Sequence, residues 1–325
     1  MKPTRRATIA SLIGSTVALG LPSLAGAQEQ PVVETGPDEP ATQLDAGRDR
    51  YEHMLAPVGI NGQGPFQFLL DTGANVSCVS RALADKLSLS PGKPAQVHTM
   101  VGVRTRPSFM INHLAVGSRN RSTVNAPSLP LPGGAIDGIL GVDWLKGQRL
   151  VLGFKDKNIE ITQSKPEKPV EGQVVVPARR RMGQLTIVDA DLSGKRISAM
   201  IDSGSQLTIC NKPLRDLVIS QELRRNVPTE HQMITMETIA GEPFTGELMY
   251  LPFLRLGGLR LGNVPVVFAD MHVFDIWDLA KTPSVVLGMD VLRQFDTVSL
   301  DFGRSQVRFD IPPDEAGTGP AIAVS

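Results

Sequence analysis

Two short acidic motifs carry the chemistry that this chain of 325 residues can offer. Asp71-Thr72-Gly73 closes the run Gln67-Phe68-Leu69-Leu70, and Asp202-Ser203-Gly204 closes the run Ser198-Ala199-Met200-Ile201, 131 residues later. Each apolar run reads as a buried strand that delivers a carboxylate to the rim of a sheet. Thr72 and Ser203 supply short hydroxyls that can tie the loop down. Gly73 and Gly204 permit a tight backbone and the close approach of a partner loop. Two carboxylates held about 3 Å apart cannot both ionise, so they share one proton. The ionised member can then act as general base on a water, while the protonated one donates to a carbonyl oxygen. Asp71 and Asp202 are the candidates for that pair.

The elements that must position them occur twice. A turn precedes each acidic run, at Ile60-Asn61-Gly62 and at Leu192-Ser193-Gly194. Further on, Ile139-Leu140-Gly141-Val142-Asp143-Trp144-Leu145 corresponds to Val286-Leu287-Gly288-Met289-Asp290-Val291-Leu292, displaced by 147. The second half therefore carries 147 − 131 = 16 extra residues between its motifs. Each half ends in a strand-like run, Leu150 to Ile161 and Val298 to Ile311, with apolar residues near period two. One Asp-(Ser/Thr)-Gly triplet alone reads as a strand-ending turn, because Asp and Gly favour turns. Two triplets, each followed at a matched distance by an apolar-apolar-Gly segment, are far more specific.

This pattern resembles the aspartic peptidases, and in detail the retropepsin-like branch with both halves fused in one chain; the resemblance covers nearly all of residues 50–311. It implies an all-β protein of two β-rich lobes related by a pseudo-twofold axis, one aspartate from each meeting at the cleft. Short helices are expected after the second motif of each lobe. The implied activity is that of an endopeptidase on a polypeptide substrate, with no cofactor and no metal. A peptide-binding relative without turnover is the runner-up, and a structural envelope β-domain a third possibility. Gly141 and Gly288 resemble the family's strand that passes behind the catalytic loop. Asp143 and Asp290 follow where a carboxylate would cap a short helix, a structural role. Flaps should lie between the two motifs, with Val101-Gly102 and Ile239-Ala240-Gly241 at their tips, within Thr99–Val103 and Thr238–Glu242. Neither Tyr51 nor Tyr250 suits the flap tyrosine of pepsin-type enzymes, which favours the retropepsin-like branch. Ala74 follows the first triplet and Ser205 the second, where a hydroxyl could reach an aspartate oxygen and make the dyad asymmetric.

Composition narrows the alternatives. The chain has 33 basic and 33 acidic residues, and Lys2, Arg5 and Arg6 fall before Gln28, so the remainder is mildly acidic, at −3. That argues against nucleic acid as a partner. Gly 31 and Pro 25 favour many strands and turns over long helices. Cys78 and Cys210 are too few for a disulfide scaffold, sit in opposite halves, and read as two buried free thiols. The five histidines are scattered without a metal-ligand pair, and neither a serine-hydrolase elbow nor a phosphate loop is present.

The basic Lys2, Arg5 and Arg6, the uncharged stretch Ala7 to Ala27 and the closing Ala25-Gly26-Ala27 read as a signal peptide over 1–27. Arg5-Arg6 is similar to the twin-arginine export signal. Export to a bacterial periplasm is the expectation, with no stable membrane span after signal removal. Residues 28–49 are expected to be a disordered leader, 50–163 and 172–311 the two lobes, 164–171 a linker and 312–325 a flexible tail. Internal duplication removes the need to dimerise, so a monomer is expected.

Overall fold

A computed structural model describes residues 12–13, 18–19, 41–49, 53–131, 135–181, 183–225, 232–312 and 322–324. Strands dominate, and the chain forms two β lobes, each a sheet closed on itself. In the first lobe, strand Met54–Ile60 pairs with Gln63–Leu70 on one side and with Ser108–Val116 on the other, which closes the sheet. In the second lobe, Gln184–Leu192 does the same between Lys195–Ile201 and Pro243–Leu256.

Within each lobe one motif is wedged behind the other. Gly138–Leu140 runs parallel to Gln63–Leu70 and antiparallel to Cys78–Ser80. Ser284–Leu287 runs parallel to Lys195–Ile201 and antiparallel to Ile209–Cys210. All three strands are buried where they meet, which is why these segments are near-continuous apolar runs in the sequence. The central strand ends by accepting the aspartate's own N–H: Asp71 N donates to Leu140 O and Asp202 N to Leu287 O, both at 3.0 Å. The next residue must be glycine. A Cβ on Gly141 would lie 2.8 Å from Ala74 O, and one on Gly288 2.5 Å from Leu207 O.

The terminal hairpins of the two halves join in one antiparallel sheet between the lobes, where Gln148–Gly153 pairs with Thr297–Asp301 and Leu150 lies opposite Leu300. The sixteen additional residues of the second half fall in three places. Helix Lys212–Arg225 has 14 residues where its counterpart Arg81–Lys86 has 6, a difference of 8. Of the other 8, one widens the second hairpin tip and 7 fall in the segment that holds helix Val273–Ile276. The short helices after the second motifs are the 3-10 turn Val142–Trp144 and helix Met289–Leu292.

The expected leader and tail are partly structured. Thr42–Asp45 adds as an edge strand to Asn158–Gln163, burying Thr42 and Leu44 on alternate positions, so the disordered leader cannot extend to residue 49. Ile322–Val324 pairs with Leu259–Leu261, and residues 313–321 lie outside the described residues. The signal-peptide reading of 1–27 also lies outside them, except for the two-residue strands Leu12–Ile13 and Ala18–Leu19. Residues 165–171 are exposed and irregular between the lobes. Among the described residues no helix is long and apolar enough to cross a membrane.

If the two glycines behind the loops are needed for clearance, Gly141→Ala and Gly288→Ala should each cost about 1–3 kcal/mol through overpacking against backbone. Gly258→Ala, whose Cβ would meet nothing nearer than 3.6 Å, is the control. Chemical denaturation of the three variants measures this, and equal midpoints for all three would contradict it.

Candidate active site

The two acidic loops meet back to back across the lobe boundary. Thr72 N donates to Ser203 Oγ (3.1 Å) and Ser203 N to Thr72 Oγ1 (3.0 Å). Each hydroxyl then donates onward to the opposite strand's last carbonyl, Thr72 Oγ1 to Ile201 O (2.9 Å) and Ser203 Oγ to Leu70 O (2.7 Å). Four buried bonds thus lock one lobe to the other, and the residues just before the hydroxyls are Asp71 and Asp202, both fully buried. Each glycine lies against the other lobe's carboxylate. A Cβ on Gly204 would sit 2.3 Å from Asp71 Cγ, and one on Gly73 2.6 Å from Asp202 Cγ. Only glycine allows that approach.

Asp71 Oδ1 accepts from Gly73 N (2.8 Å) and Ala74 N (2.9 Å), and Asp202 Oδ1 accepts from Gly204 N (2.9 Å). Asp71 Oδ2 is buried with no donor among the described residues, and the Asp202 carboxyl lies beside it. Burial first, and the Asp202 carboxyl beside it second, push Asp71 well above the ordinary carboxylate value, while the Gly73 and Ala74 N–H groups pull it back. Ser205 does not play the part its position suggests. Its hydroxyl donates to Leu207 O at 2.8 Å, turned into its own loop.

Asp143 and Asp290 hold the loops from behind. Asp143 accepts from Ser77 Oγ (2.8 Å) and Arg121 (2.6 Å), and Ser77 Oγ accepts from Gly141 N (3.1 Å). Asp290 accepts from Thr208 Oγ1 (2.7 Å) and N (3.0 Å), and Thr208 Oγ1 accepts from Gly288 N (3.1 Å). Asp290 also takes the Val291 N–H, as a helix-start acid would, whereas Asp143 is held by Ser77 and Arg121. Burial raises both carboxyls, Asp290 to about 6. Cys78 and Cys210 are free and buried, and burial raises both thiols, Cys210 to about 12, so neither is a nucleophile. Among the described residues no group of three or more His, Cys, Asp or Glu could hold a metal ion.

Comparison with known families agrees with this geometry. Residues 56–147 match the family described as "gag-polyprotein putative aspartyl protease", and residues 188–291 match the one described as "aspartyl protease". The two matches are in tandem, one per lobe, and together span more than half the chain. The chain belongs to the aspartyl protease family, in its retropepsin-like form with two fused repeats. No curated protein matches it.

The hairpin tips expected as flaps each cross to the opposite lobe of this aspartyl protease. Thr99–Val103 and Thr238–Glu242 form hairpin tips, with Thr99 N bonded to Gly102 O (2.7 Å) and Thr238 N to Glu242 O (2.9 Å). Each tip buries a side chain in the opposite lobe. Met100 packs in a second-lobe cluster with Met200, Ile209 and Trp277, and Ile239 in a first-lobe cluster with Ala74, Val97 and Leu129. Val101 backs the Met100 contact, Ala240 is buried, Gly102 is half-buried, and Gly241 takes the positive φ of 77° at the second tip. The tips also hold each other, since Glu242 accepts from Thr99 Oγ1 (2.8 Å) and pairs with Arg104 (3.2 Å). Below the first tip, His98 Nδ1 lies 3.0 Å from His272 Nε2 of the second lobe, the rings stacked. Met100, Glu242 and the two histidines were not singled out from the sequence. Met100 was within reach, because it holds the place in Thr99–Gly102 that Ile239 holds in Thr238–Gly241.

The histidine contact should make the packing of the first tip depend on pH. Burial, and then the charge of His272, hold His98 below its ordinary 6.5, so the closed flap favours neutral imidazole. That contribution is present above 6.5 and is lost as pH falls through the depressed value. Hydrogen-exchange protection of the 99–103 amides should therefore drop from about pH 7 to about pH 5. His98→Gln should remove most of that drop, and an unchanged pH dependence in this variant would exclude the contact as its cause.

Proposed function

We propose that this protein is an active aspartic endopeptidase in which Asp71 and Asp202 share one proton and activate water. The observation that carries the reading is the reciprocal packing of each buried carboxyl against the other loop's glycine, with Asp71 Oδ2 unpartnered except for its neighbour. In the first step the ionised carboxylate takes a proton from water as its oxygen bonds to the scissile carbonyl carbon. The protonated carboxyl donates to the carbonyl oxygen, giving a tetrahedral diol. In the second step the carboxyl that gained the proton passes it to the leaving nitrogen as the C–N bond breaks, and the other recovers one from the diol. The electrostatic cost of one buried negative charge is met by the loop N–H groups fixed on the Oδ1 atoms.

An extended polypeptide suits the flap strands as substrate. In the full chain, Leu12–Ile13 pairs in parallel with Glu237 and Thr238, and Ala18–Leu19 pairs antiparallel to His98 and Val97. Both flap edges thus accept an added strand, the mode in which main-chain bonds bind and alternate side chains select.

Asp71→Asn and Asp202→Asn should each lower turnover of a peptide by more than about 10³-fold, and the double variant should be hardly worse, because the pair acts as a unit. Thermal melts should show all three folded, since Asn is isosteric and removes like-charge repulsion. Retained activity in either single variant would rule out the dyad. A wild-type protein that binds peptide without cleaving it at any pH would instead mark a silent binding module.

A further inference from the structure

Gln184 is a fully buried polar residue at the start of the second lobe's strand Gln184–Leu192, and its side chain crosses to the first lobe. Its Nε2 donates to Gly73 O at 2.9 Å, and a carbonyl partner fixes which end of the amide points there. That carbonyl belongs to the same peptide group as Ala74 N–H, which donates to Asp71 Oδ1 at 2.9 Å. A continuous chain therefore runs from the amide of one lobe, through a single peptide unit, to the carboxylate of the other. Hydrogen bonds in such a chain polarise one another, so a donor on the carbonyl strengthens the N–H at the far end.

The rest of the side chain is poorly served. Gln184 Oε1 is buried with no donor among the described residues. An unsatisfied amide oxygen in a closed interior is unfavourable, and an apolar side chain of the same length would avoid it. The position is thus ill explained by packing and well explained by its contact with the loop. The repeat supports this. Thr186 pairs with Met200 as Leu55 pairs with Leu69, each 131 residues apart, so Gln184 corresponds to His53. His53 is buried too, but its Nδ1 is bonded to Asp49 at 2.8 Å. The duplicated position has diverged, and the two loops are supported differently.

We infer that Gln184 is a positioning residue for Asp71, acting through the Gly73–Ala74 peptide to stabilise the ionised dyad. The inference rests on the dyad reading above. The titratable groups facing Asp71 are the Asp202 carboxyl from the opposite loop and, from the strand behind, the Cys78 thiol. Neither supplies a positive charge, so the anion depends on oriented N–H groups, and Gln184 reinforces one of them.

The test compares Gln184→Leu and Gln184→Glu with wild type in the full chain. In Gln184→Leu the acid limb of the pH–rate profile should move up by about half a unit, with kcat down about tenfold and KM within about twofold. The melting temperature should change little, because the orphan Oε1 that is removed offsets the donor lost by Gly73 O. In Gln184→Glu the side chain can donate to Gly73 O only while protonated, so activity near wild type at low pH should decay through a new limb as that carboxyl ionises. Wild-type limbs in both variants, or a lowered melting temperature with unchanged limbs, would make Gln184 merely structural and overturn the inference. A second readout is independent of turnover. The carboxyl carbon of Asp71, followed by ¹³C NMR in wild type and Gln184→Leu, should titrate at higher pH in the variant. An unmoved midpoint overturns the inference whichever way the rate assay falls. Activity in Asp71→Asn, by contrast, would sink the dyad reading itself.

Discussion

Everything in this protein's centre depends on four hydrogen bonds between Thr72 and Ser203 and the strands behind them. Burying a carboxylate costs several kcal/mol, and burying two side by side adds their repulsion. Each loop offsets part of that cost by presenting its own N–H groups to its aspartate. The contacts across the lobe boundary do not exist in a lobe alone. The hydroxyls are satisfied only by the opposite lobe's backbone, and the space beside each glycine is filled only by the opposite carboxyl. The shared sheet formed by the two terminal hairpins holds the lobes in the register this requires.

Around that lattice, support is built from behind and from above. From behind, Asp143 through Ser77 and Asp290 through Thr208 reach the N–H groups of Gly141 and Gly288, fixing the strands that cross beneath the loops. From above, the crossed flaps seal the dyad with Met100 and Ile239, each anchored in the other lobe. A closed site strengthens electrostatic interactions inside it. The His98–His272 contact is placed where protonation would loosen the first tip.

What the sequence disclosed was local and repeated. Asp71 and Asp202 stood out because strand, acid, hydroxyl and glycine are consecutive and occur twice. Gly141 and Gly288 stood out because a backbone-tight position excludes every other side chain. The hairpin tips at Thr99–Val103 and Thr238–Glu242 were legible as Gly-bearing turns. What stayed hidden depends on contacts between the lobes. Nothing next to Gln184 in the chain points to Gly73, 111 residues away, and nothing next to Met100 points to Trp277. Ser205 misled because adjacency to an aspartate does not set the direction of a hydroxyl, which a nearby loop carbonyl captured. The polar composition of 28–49 likewise hid an edge strand, since Thr42 and Leu44 become buried only against a sheet formed far along the chain.

The central claim, that the lobes are joined by one cooperative lattice at Thr72 and Ser203, is tested most directly by a double-mutant cycle. Thr72→Val, Ser203→Ala and the double variant would be compared by chemical denaturation of the full chain. Each single variant strands one buried N–H and one buried carbonyl in the opposite loop, so each should lose about 2–4 kcal/mol. The double variant should lose little more, giving a coupling energy above about 1 kcal/mol. Losses that add to within about 0.5 kcal/mol would show two independent loops and contradict the account.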